Sequence, residues 1–139
     1  MKEYDYNFKI QLRAVPYAST GYVLEYRLDP NQDLTYEEEE TYFFGLFKRK
    51  VIKSFDTNWH QIHWFCNSLT SYVYEANNEL NYAPIWCESK NDLEYYKSQF
   101  NTYGDLATYV RKHNEKAYEQ HAKDRAEYLK YLKSRKTIY

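Results

Sequence analysis

Three side chains that could bind a metal or act as nucleophiles lie close together in this 139-residue sequence, His60, His63 and Cys66, with a fourth, Cys87, further on. A zinc site needs donors converging on one tetrahedral ion and is usually built from Cys-x2-Cys or His-x3-His pairs. At helical spacing the three neighbours fan around the axis, so His63 and Cys66 could share an ion but His60 could not join them. The sequence therefore predicts no metal and no cofactor. The two cysteines are too few for a disulfide scaffold and read as free thiols packed as small hydrophobes.

Other chemistries find little to work with. The run Glu37, Glu38, Glu39 and Glu40 offers paired carboxylates, but four adjacent acids in an expected loop are solvated and repel one another instead of being held in a cleft. They remain a candidate acidic contact for a basic groove on a partner. No Gly-x-Ser-x-Gly is present, and glycines at only 21, 45 and 104 cannot build a phosphate loop. Nothing here points to an enzyme.

Aromatic and basic residues alternate in the C-terminal third, where Tyr118, Lys123, Arg125, Tyr128, Lys130, Tyr131 and Lys133 form the expected partner-binding set, since Tyr and basic side chains dominate interface energetics. Residues 105 to 139 hold nine basic and five acidic groups, a net of +4 within a chain of net charge −1. Glu119 and Lys123, four apart in the favourable order, explain part of this charge as pairing along a solvated helix. Nucleic acid is accordingly the less favoured partner.

The elements that must position these residues follow from periodicity. Residues 4 to 14 alternate apolar and polar as a half-buried strand, and Tyr22 to Leu28 repeat the pattern after a short loop, which predicts a hairpin. Thr41 to Phe47 and Val51 to Phe55 read as a third strand and a fourth, turning at Lys48-Arg49-Lys50. Trp59, Ile62, Cys66, Leu69, Val73 and Ala76 recur at threes and fours, predicting a helix over 58–76 that crosses the sheet. Ala83 to Cys87 reads as a short extended segment, and Asp92 to Phe100 as a short helix. From Thr102, whose spacing to Asp105 resembles a capping box, nothing breaks a helix until about Lys136.

The expected fold is α+β: an antiparallel sheet of three to five strands packed by one helix, in one domain, with a 1–104 body and a long C-terminal helix over 105–136. A helix of ~48 Å overhangs a globule some ~37 Å across. It carries a stripe, Tyr118, Ala122, Ala126, Leu129 and Leu132, suited to a second helix or a second copy of the chain, unless a bend near His113-Asn114 folds it back.

Eighteen tyrosines, with 3 glycines, 3 prolines and 1 methionine, are the composition of A+T-rich codons and suit a phage or mobile element. Tyr at this density also suits protein interfaces. No stretch approaches the ~20 apolar residues of a membrane span, and no secretory pattern opens the chain, so it is expected in the cytoplasm, the host's if phage-encoded. The functional expectation is a non-enzymatic protein–protein interaction protein that binds or inhibits a host protein. Alternatives are a nucleic-acid-binding accessory protein or a structural component of a virion or other assembly.

Overall fold

A computed structural model of the chain describes residues 5–17, 19, 21–67 and 80–135. The fold is α+β, with antiparallel sheets, a short helix and a long C-terminal helix. Strands β1 (Ile10–Tyr17) and β2 (Gly21–Leu28) form the expected hairpin, in register from Ile10↔Leu28 to Tyr17↔Gly21. Their alternation does what it promises: Ile10, Leu12, Leu24 and Leu28 are buried on one face. The first strand begins later than the pattern suggested, because Tyr6 and Asn7 turn to meet the long helix.

Next come β3 (Thr35–Tyr42) and β4 (Phe47–Ser54), a separate two-stranded antiparallel sheet. This corrects two expectations. The acidic run is strand and not loop, and the turn lies at Phe43–Leu46 and not at Lys48–Lys50. Glu39 and Glu40 lie opposite Lys50 and Arg49 across the ladder, and such opposite-charge pairs help hold a strand that intrinsic propensity disfavours.

The helix expected over 58–76 is absent where the structure describes it. Residues 60–67 form β5 (His60–Gln61) and β6 (His63–Asn67), while 68–76 lie outside the described residues. Strand β6 pairs with β7 (Leu80–Pro84), and β8 (Trp86–Cys87) follows. Strands β5 and β8 share the second edge of β2 end to end, opposite Glu25–Tyr26 and Tyr22–Val23 respectively. Between them three backbones close a ring: the Leu24 N–H donates to the Ile85 carbonyl at 2.9 Å, Ile85 to Ile62 at 3.0 Å, and Ile62 back to Leu24 at 3.2 Å. All three side chains are buried, so the ring satisfies polar groups that the core would otherwise strand. Burial of its side chain at that junction, and not helical periodicity, explains why Ile62 is apolar.

Helix α1 (Lys90–Gln99) packs against β1, and α2 (Tyr103–Ser134) runs unbroken for 32 residues. Its start is the predicted capping box: Thr102 Oγ1 accepts from the Asp105 N–H at 3.2 Å, and Asp105 Oδ2 accepts from the Thr102 N–H at 3.1 Å. The core unites Ile10, Leu12, Leu24, Leu28, Leu34, Ile62, Ile85, Cys87, Phe100 and Leu106. Among the described residues, no helix is long and apolar enough to cross a membrane.

Candidate interaction surface

The β3–β4 hairpin is an arm. Neither strand contains a buried residue, and the arm is rooted at its base, where buried Leu34 accepts the Phe55 N–H and the Phe55 ring packs on Tyr36 and Phe8. From there one face carries an unbroken charge ladder, Glu38 to Lys53 at 2.9 Å, Lys53 to Glu40 at 3.2 Å, and Glu40 to Arg49 at 3.2 Å. Hydrogen bonds from Lys53 and then Arg49 hold the Glu40 carboxyl below its usual range. The ladder passes directly into aromatics. Arg49 lies over the Tyr42 ring, Tyr42 and Phe47 stack with centroids 5.4 Å apart, and Phe43 meets Phe47 edge-on at 5.8 Å.

At the tip the chain takes an uncommon conformation. Phe43, Phe44 and Gly45 all have positive φ, 52°, 57° and 83°, and the Leu46 N–H closes the turn on the Phe43 carbonyl at 3.1 Å. Two positive-φ residues at the centre of a hairpin turn match the right-handed twist of the strands, and Asn-Gly or Asp-Gly is the usual sequence. Gly45 meets that demand, whereas a phenylalanine in the left-handed region costs on the order of 1–3 kcal/mol. That side chain gains nothing from the fold: Phe44 is fully exposed, with Phe43 at 67 % and Leu46 at 79 %. Backbone strain and a solvated apolar cluster coincide at one point, as they do where a surface is kept for a ligand. The positions were visible in the sequence as Tyr42-Phe-Phe-Gly-Leu-Phe47, but alternation cannot tell a strand from an apolar turn.

The expected contact residues on α2 do not converge on one face. At helical spacing Tyr118 and Arg125 share a side with Leu129, Lys123 and Lys130 share another, and Tyr128 continues the half-buried row of His121 and Asp124. Tyr118, Leu129, Tyr131 and Leu132 are all exposed, as are Ala122 and Ala126, so the stripe read from the sequence lies open. The first half of α2 docks on β6, and the helix runs unbroken through His113-Asn114. Those two side chains make the polar part of the dock. His113 stacks on Trp64 with centroids 3.7 Å apart and bonds the Phe65 carbonyl at 2.8 Å, while Asn114 Oδ1 accepts the Phe65 N–H at 2.9 Å.

The groups weighed for chemistry are dispersed. His60 is exposed and pairs with Asp56 at 3.3 Å, His63 is exposed on β6, and Cys66 is half-buried. Without the helix that was to present them, these three lose the geometry considered above. Among the described residues, no group of three or more His, Cys, Asp or Glu is placed to hold a metal ion. Burial pushes the Cys87 thiol up, with Asp92 adding to it, and burial likewise pushes Tyr96 up to about 12. Both sit against the core with no nucleophile–base pair, so their shifts reflect packing. Comparison with known protein families, with curated proteins and with solved structures finds no match.

Proposed function

We propose that this chain is a non-enzymatic interaction protein that binds another protein through the apolar tip of its β3–β4 arm, as a phage or mobile-element product that captures or inhibits a host protein would. The observation that carries the reading is Phe44, fully exposed in a left-handed backbone conformation at the end of that arm. A side chain that is both strained and solvated contributes nothing to the folded monomer and is accounted for when a partner covers it. Burying a phenylalanine or leucine side chain is worth about 1.5–3 kcal/mol, which makes Phe43, Phe44 and Leu46 a hot spot of the kind that dominates interfaces. The zwitterionic ladder behind the tip supplies a polar rim. The acidic residues Glu37 to Glu40 act in this reading as part of the arm, and the basic and aromatic side chains of α2 as a second contact.

The test is affinity retention from a bacterial lysate on immobilised wild type and on Phe44→Asp, after nuclease treatment and a high-salt wash. A protein retained by the wild type and lost with the substitution is the expected result. Identical retention by both, or retention that disappears with the nuclease alone, overturns the reading.

A further inference from the structure

The same chain carries a hole for this knob. Between β5–β6 and the first half of α2 runs a groove of about 540 Å³, within the size range of sites that hold drug-sized ligands. Its floor is apolar, from Ile62, Leu106 and Val110, and the exposed Tyr118 ring forms one wall. At its mouth stand Arg111 and Glu115, 4.0 Å apart and both about two-thirds exposed, a loose pair free to exchange partners.

We infer that the groove receives the arm tip of a second copy, and that two copies exchange arms to form a closed dimer. This rests on the reading of the tip as a contact surface and gives it a second occupant, with which a host protein would compete. Three observations favour a second copy. The chemistry matches, because an aromatic tip meets a floor of aliphatic side chains. The charges match as well: Lys48, the first charged residue behind the tip on β4, faces the neutral Thr41 across the ladder and can meet Glu115. The third argument is energetic. One buried tip returns roughly 5–9 kcal/mol from three large side chains, whereas losing rigid-body freedom costs an estimated 4–15 kcal/mol. A single tip-in-groove contact is therefore marginal. In a two-fold exchange the association cost is incurred once and two identical contacts form, the self-complementary arrangement that closes instead of growing into a filament.

The experiment compares wild type, Phe44→Asp and Ala107→Glu by light scattering with size-exclusion chromatography. Ala107 lines the groove on a helix that tolerates glutamate, so the second substitution fills the hole and leaves the knob intact. Circular dichroism checks that each variant keeps its fold. A wild-type dimer is expected, with each variant monomeric. An equimolar mixture of the two variants can form only one tip-in-groove contact and should associate far more weakly than the wild type; a mixture that dimerises as tightly as the wild type overturns the paired exchange. A monomeric wild type, or a dimer that Phe44→Asp leaves intact, overturns the exchange. A monomeric wild type that nevertheless retains a foreign protein through Phe44 overturns only the exchange and leaves the interaction reading standing. Binding to phospholipid vesicles by a monomeric wild type, lost in Phe44→Asp, would instead assign the tip to a membrane surface and overturn both.

Discussion

Asn114 on α2 accepts the backbone N–H of Phe65 on β6 at 2.9 Å, and its neighbour His113 bonds the carbonyl of that same residue at 2.8 Å. Consecutive helix residues thus satisfy both polar groups of one strand residue whose other neighbours, on β7, face the opposite edge. Removing the amide leaves a part-buried donor unpaired, which costs about 1–3 kcal/mol. Asn114→Ala should lower the unfolding free energy by that order in urea denaturation. His113→Phe, which keeps a ring on Trp64, should cost less than His113→Ala. Equal losses for the two His113 substitutions would mean that the stack contributes nothing.

Those two residues also mark where sequence reading stopped. Strands β1 and β2, the short helix, and the capped start of α2 were legible because each rests on local rules: period-two alternation, a capping box, and an uninterrupted run of helix formers. The segment around Trp59 to Cys66 was not, because its apolar residues are spaced at threes and fours for unrelated reasons. Ile62 is apolar because its side chain is buried in the core with those of Leu24 and Ile85, and Trp64, Phe65 and Cys66 are half-buried together in consecutive positions on β6. Period alone cannot separate a short buried strand from a helix segment. The arm was misplaced for a different reason. An apolar turn flanked by charged strands inverts the usual pattern, and only the pairing register shows that Glu37 to Glu40 face Ile52, Val51, Lys50 and Arg49.

Gly104 lies in the first turn of α2, where helix propensity alone would have Ala gain up to about 1 kcal/mol. The packing reverses the sign. A Cβ there would stand 2.9 Å from the Tyr6 carbonyl oxygen and 3.0 Å from Tyr6 Cβ, against a backbone already bonded to the Gly104 N–H. Gly104→Ala should destabilise by about 1–3 kcal/mol, read as a lower thermal midpoint. At Gly21 the added methyl meets the ring of the half-exposed Trp86 at 2.8 Å, which can swing aside, so Gly21→Ala should cost less. A higher midpoint for Gly104→Ala would refute the clash.

The arm's ladder gives it a pH window. Glu40 is held below the usual carboxylate range by Lys53 and then Arg49, and Lys53 is pushed up by Glu38 and then Glu40. A depressed carboxylate contributes stability present above its unfolded pKa and lost as pH falls through the folded one. A raised lysine contributes stability present below its unfolded pKa and lost as pH rises through the folded one. The hairpin should therefore be tightest between the carboxylate and lysine ranges and fray at both ends, with salt mimicking both by screening these exposed pairs. Cross-strand nuclear Overhauser effects between Glu39 and Lys50 report this directly. Intensities unchanged by acid or salt would show that the ladder does not hold the arm.

Phe44 allows stability and binding to be separated. Asn tolerates the left-handed region and is a preferred residue in such turns, so Phe44→Asn should relieve backbone strain while removing the most exposed ring of the tip. The substitution should leave the arm folded and raise stability by about 1 kcal/mol, since the lost ring has no packing to forfeit. Partner binding should fall at least tenfold, because about 1.5–3 kcal/mol of burial disappears from the contact. A variant that gains stability and loses binding is the pattern of a residue retained for recognition at the expense of the fold. Were Phe44→Asn instead destabilising, with binding intact, the ring would be packing within this chain, and the tip would have to be read as structure.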